Sequence, residues 1–132
     1  MNEQEAIDQL LALPTWAIVG LSNNSERPAH RVAALLKAKG HRIVPVHPSA
    51  PEVHGERGYA TLKEIPFPVD VVDLFVNSTL VAGLVAEAIE IAAKGVWLQL
   101  EVIDEAAVEK ARAAGLLAVM DRCPAIEYAK QN

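Results

Sequence analysis

The segment VGLSNNSERPAHRVAALLKAKG, residues 19–40, gathers the residue types that hold anions. An apolar run stops at Gly20, and Ser22, Asn23, Asn24 and Ser25 follow. Small polar residues leave backbone N–H groups exposed and add hydroxyl and amide donors. A helix beginning at Pro28 would turn its positive end to the same place. Arg27 and Arg31 are four apart, so they share a helix side, and either could close on a phosphate through paired donors. A purely structural polar loop is the alternative. The pattern is not the dinucleotide fingerprint G-x-G-x-x-G, because only Gly20 is present. After the second strand, where NAD binders place a carboxylate for the ribose diol, stand His47, Pro48 and Ser49. A missing carboxylate in a basic stretch suits a ligand with a phosphorylated ribose, such as NADP or coenzyme A.

Other candidates for chemistry are weaker. His30 would lie beside the loop as a phosphate contact or a solvated helix residue. None of His30, His41, His47 and His54 pairs with a cysteine cluster at zinc-ligand spacing. Cys123 is the only cysteine, which forbids an internal disulfide. It reads as a small buried hydrophobe, or as a nucleophile if a base lay nearby. Asp70 and Asp73 are three apart on a strand, so they face opposite ways and form no acid–base dyad. Asp73, within an apolar strand, is expected to accept backbone N–H donors from a neighbouring loop. No catalytic residue and no metal site is read from the chain.

These residues need a scaffold, and 132 residues suit one domain, residues 1–132, with residues 1–13 as an N-terminal helix packed on it. Hydrophobic residues at 52% and charged residues at 22% can build a core. The acidic N-terminus, with Glu3, Glu5 and Asp8, does not look like a targeting segment, and no stretch reads as a membrane span. The expectation is a soluble cytoplasmic protein. A net charge of −5 argues against nucleic acid as a partner. Yet Arg27, Arg31, Lys37, Lys39 and Arg42 occur with no Asp or Glu up to Pro51. Lys37 and Lys39 complement a helix C-terminus, whereas Arg27 and Arg31 near a helix start do not.

Strands are expected over 16–19, 42–47, 69–76, 96–100 and 116–120, and helices over 2–12, 28–39, 78–94, 104–114 and 124–131. Gly95 should close the third of these helices. Pro45 is out of place in a central strand. Strands apolar on both sides, alternating with helices, imply a doubly wound α/β domain with a five-stranded parallel sheet. The expected order is 3-2-1-4-5, which puts a ligand crevice beyond strands 1 and 4 and nominates the loops starting at Gly20, His47, Asn77 and Leu100. Trp16 and Trp97 should be core. Ala82, Gly83 and Ala86 would let their helix lie close to the sheet or to a second subunit, so a homodimer or another protein partner stays open.

The stretches VGLSNNSERPAHRVAALLKAKGHRIVPVHP, GERGYATLKEIPFPVDVVDLFV, AIEIAAKGVWLQLEV and AGLLAVMDRC together resemble the small stand-alone CoA-binding proteins. Their Rossmann-like domain is similar to the N-terminal domain of the succinyl-CoA synthetase alpha subunit. The resemblance implies coenzyme A, or an acyl-CoA, laid across the crevice. Gly20, Leu21, Ser22, Arg27 and Pro28 would meet the phosphates. Val46, His47 and Pro48 would flank the adenosine end, Val76 and Asn77 would line the path, and Gln99 would sit near the pantetheine. Two positions depart from the family pattern: Asn77 stands where a basic residue is frequent, and Glu101 where a glycine is. The synthetase's phosphohistidine belongs to a second domain without counterpart here. The leading expectation is therefore a non-catalytic CoA-binding module. The alternatives are an NADP-type oxidoreductase fragment and an interaction subunit with a vestigial crevice.

Overall fold

The computed structural model describes residues 1–131. Helix α1 (Glu3–Leu11) leads into β1 (Thr15–Val19), then α2 (Pro28–Ala38) and β2 (Arg42–Val46). After β2 comes a long connection with one 3-10 turn at Leu62–Glu64, then β3 (Val71–Leu74). The chain closes with α3 (Val81–Glu90), β4 (Gly95–Leu98), α4 (Glu105–Ala113), β5 (Leu117–Val119) and α5 (Pro124–Lys130). Local signals account for the ends: Asn2 accepts from the Glu5 amide at the start of α1, and Asp104 accepts from the Ala107 amide at the start of α4. Thr61 and Glu64 form a reciprocal cap on the 3-10 turn.

All five strands are parallel, and the sheet is Rossmann-like, with helices on both sides. Alternation along the strands sorts the core. Ala17, Val19, Val44, Val72, Leu74, Val96 and Leu98 pack with α3 and α4. Trp16, Ile18, Ile43, Val71 and Trp97 pack with α1, α2 and α5. Trp16 and Trp97 are fully buried there, 5.5 Å apart between ring centroids.

The strand order is 2-1-3-4-5, so the expected 3-2-1-4-5 is corrected. β3 pairs with β1 and lies between it and β4. The reason is visible at Pro45. The outer side of β2 is taken by Tyr59, whose amide donates to the Pro45 carbonyl at 2.9 Å and whose carbonyl accepts from His47 at 3.0 Å. With the long connection paired there, β2 is the edge of the named sheet, where a residue without an N–H is tolerated. The winding therefore reverses between β1 and β3.

α3 also differs from expectation. Ser78–Leu80 is a 3-10 turn, and the α-helix ends at Glu90 because Ala92 takes the left-handed conformation, φ 58°. Gly95 does not close it but opens β4. A Cβ at Gly95 would meet Leu10 Cδ2 at 2.5 Å and the Leu117 carbonyl oxygen at 2.9 Å, so glycine lets α1 and β5 close on the strand. Ala82, Gly83 and Ala86 are exposed, and Val81, Val85 and Ala88 face the sheet instead.

Candidate functional site

The C-terminal ends of the strands border one cavity of about 1250 Å³. Its wall runs from His47 after β2, past Gly20 and Val76, to Gln99 after β4 and Cys123 after β5. Neighbouring strands lie about 4.8 Å apart, so this edge is about 19 Å long. One side is the groove between α2 and α5, with Val32 and Leu35 facing Ala125 and Ile126.

Gly20 makes the turn out of β1. Its φ is 95°, and a Cβ there would lie 2.2 Å from the Phe75 carbonyl oxygen. β1 and β3 stay this close because the Phe75 amide donates to the Val19 carbonyl at 3.0 Å. Only glycine fits at this crossing.

The loop that follows is partly self-satisfied. Ser22 Oγ accepts from the Asn24 amide at 3.3 Å, and Asn24 Oδ1 accepts from the Glu26 amide at 3.0 Å. Asn23 Nδ2 donates to the Glu52 carbonyl, pinning the loop to the connection after β2. Pro28 opens α2 without an N–H. The expected row of bare amides is thus reduced, and guanidinium groups dominate what the loop offers. Arg27, at the start of α2, has no side-chain capping bond, and both Arg27 and Arg31 are exposed on the cavity. Among the described residues neither has an ion-pair partner.

The other cations of the basic stretch are engaged elsewhere. Lys37 pairs with Glu56 at 3.0 Å, Lys39 lies over the Tyr128 ring, and the Arg42 guanidinium stacks 3.6 Å from the Phe67 centroid. His30 does not line the cavity; its ring packs 4.3 Å from the His54 ring.

Nine expected site residues line this cavity: Gly20, Ser22, Arg27, Pro28, Arg31, His47, Val76, Asn77 and Gln99. Three do not. Leu21 is fully buried under α2, and Val46 turns into the core beneath α3. Pro48 is exposed in the turn after His47. His47 Nδ1 accepts from the Ser49 amide at 3.2 Å, so the neutral ring carries its proton on Nε2 as a donor. Asn77 Oδ1 accepts from the Thr79 amide and hydroxyl, which makes it a cap for the turn before α3. Glu101, at the rim, has φ 67° with its amide donating to Asp121 Oδ1 at 2.7 Å. A left-handed conformation is where glycine costs least, so a glycine would fit this backbone better than the glutamate does.

Sequence reasoning missed Phe75, Leu35, Ala125 and Ile126 as cavity wall. The first lies at the corrected β1–β3 crossing, and the others meet only because α5 packs beside α2. The expectation for Asp73 is also corrected. Asp73 is fully buried on the Trp16–Trp97 side of the sheet, between Ile18 and Trp97, and neither carboxyl oxygen has a hydrogen-bond partner. The flanking strands present apolar side chains there, not amides. Burial pushes its pKa well above the usual carboxylate value, so the neutral acid is favoured.

A five-stranded parallel sheet with helices on both sides and a cavity at its C-terminal edge defines a Rossmann-like α/β class. The chain belongs to the CoA-binding domain family, whose model matches residues 14–129. It is 33% identical over 113 residues to the uncharacterized protein YneT of Bacillus subtilis (strain 168), covering 86% of this chain and 84% of that one. A hypothetical protein from Pyrococcus horikoshii OT3 superposes with a TM-score of 0.91 at 35% identity, covering 98% of this chain and 92% of that one. The fold recurs in the dinucleotide-forming acetyl-coenzyme A synthetase 1 of Ca. Korarchaeum cryptofilum, apo form, with a TM-score of 0.73 and 21% identity. That match covers 85% of this chain and 27% of the synthetase. No helix among the described residues is long and apolar enough to cross a membrane.

Proposed function

We propose that the protein binds coenzyme A or an acyl-CoA in the cavity along the C-terminal edge of its sheet, as a non-catalytic binding module. The observation that carries this reading is the pair of guanidinium groups, Arg27 and Arg31, that line a long cavity without an ion-pair partner among the described residues. At about 1250 Å³ the cavity exceeds the roughly 300–1,000 Å³ typical of compact ligands. An extended nucleotide suits it. The arginines would hold the phosphates, His47 Nε2–H would serve the adenosine end, and Gln99 would meet the pantetheine. Membership of the CoA-binding domain family supports the same ligand.

The test is a thermal-shift series with CoA, desulfo-CoA, 3′-dephospho-CoA, NADP and NAD. A ligand held only by the folded state at about 100 times its dissociation constant adds about 2.7 kcal/mol. CoA should stabilise the protein, and less so without its 3′-phosphate. A response to NADP alone would make the site an oxidoreductase fragment, and silence throughout would leave the crevice vestigial. Arg27→Ala should weaken CoA binding about tenfold or more, the scale of one charge-assisted contact, with the melting temperature of the free protein nearly unchanged. Early unfolding with intact affinity would make Arg27 a structural residue.

A further inference from the structure

We propose that Cys123 is a thiol-exchange site, at which its Sγ forms a mixed disulfide with the sulfur of coenzyme A. This rests on the CoA reading above.

Two independent features meet where the cavity passes the C-terminal ends of β4 and β5. Gln99 lines the cavity, is only 6% exposed, and its Oε1 has no hydrogen-bond partner. A buried acceptor left unpaired is unfavourable, and a ligand group bearing amide N–H relieves it. Pantetheine is a chain of amides that ends in a thiol. Cys123 lines the same cavity and is 8% exposed. Its position beside Gln99 is held by the backbone of Arg122. The Arg122 amide donates to the Leu98 carbonyl at 3.3 Å, and Trp97 Nε1 donates to the Arg122 carbonyl at 2.9 Å. The guanidinium groups that would hold phosphate, after β1, and a thiol, after β5, thus line one cavity. Coenzyme A likewise joins phosphates and a sulfur in one extended molecule.

The chain has no second cysteine to compete for this thiol. Burial shields it from large oxidants in bulk solvent while leaving it on the wall the ligand would follow. The co-reactant is a coenzyme A disulfide. Cys123 releases its proton to water, and the thiolate attacks one sulfur of that disulfide. The sulfur–sulfur bond of the reagent breaks as the Cys123–S–S–CoA bond forms. The departing coenzyme A leaves as a thiolate and takes up a proton, so the step needs no further oxidant.

Intact-mass spectrometry tests this, with protein incubated separately with coenzyme A disulfide and with glutathione disulfide at equal concentration. The expected product is a dithiothreitol-reversible mass increase of one coenzyme A less two hydrogens, mapped to Cys123 and absent from Cys123→Ser. It should form at least about tenfold faster than the glutathione adduct, because binding makes the step effectively unimolecular, and excess desulfo-CoA should slow it. Equal rates, or no adduct on the folded protein when the unfolded chain reacts with both reagents, overturn the proposal. Desulfo-CoA also separates the exchange from the binding on which it rests. If it stabilises the fold and no adduct forms, the exchange falls and the CoA reading stands. If it does not stabilise the fold, both fall.

Discussion

Asp73 is a fully buried carboxyl without a hydrogen-bond partner in an apolar layer. Its burial raises the folded pKa well above 3.8. The protonated form is therefore the folded form. Stability is greatest below the unfolded value and declines as pH rises from 3.8 toward the folded pKa, by about 1.36 kcal/mol per unit. Asp73→Val, which suits a strand, should be more stable than wild type at pH 7 by at least about 1 kcal/mol, and the gap should narrow toward pH 4. Urea titrations across that range check it. A gap independent of pH would mean Asp73 ionises normally in the fold. The sequence showed where this carboxylate falls, in an apolar strand, but not whether it finds donors. That depends on which side chains the adjacent strands present.

At the scale of elements, the junction of β1, α2 and β3 decides the site. Gly20→Ala would place a methyl group against the Phe75 carbonyl oxygen at a φ that L-residues avoid. The conformation alone costs about 1–2 kcal/mol, and the contact adds to it. A lowered urea midpoint together with weakened CoA binding is expected; an unchanged midpoint would show that the turn can rearrange. Most element positions were legible from period, caps and breakers, because these act over a few residues. The exceptions are instructive. Gly95 reads as a helix stop, yet Ala92 ends α3, and the glycine answers to α1 and β5 across the sheet. Pro45 already argued against a central β2; strand order follows it once Tyr59 is known to occupy the outer edge.

At the scale of the whole molecule, His41 links three distant segments. Its Nδ1 meets the Leu13 carbonyl at 2.8 Å, its Nε2 meets the Tyr128 hydroxyl, and its ring lies edge-on to Trp16. In the neutral ring Nδ1–H donates to Leu13 and Nε2 accepts from Tyr128, whose oxygen also lies 3.1 Å from the Leu11 carbonyl oxygen. Burial lowers the His41 pKa below 6.5, against smaller opposing contributions from the Leu13 and Pro14 carbonyls. The neutral ring is the folded form. The stability it confers is complete above 6.5 and is lost as pH falls from there through the folded value. Wild type should therefore lose more stability than His41→Gln between pH 7 and pH 5 in urea titrations, and parallel losses would exclude His41 as the cause. The sequence by itself determined the parallel α/β class, the basic stretch and its polar loop, since alternation, charge and turn chemistry are local properties. Tertiary structure alone decided that Arg27 and Arg31 face a cavity while Lys37, Lys39 and Arg42 do not. It alone set Gln99 and Cys123 on one wall, because those neighbours are joined by strand order and helix packing, and neither is written in residue spacing.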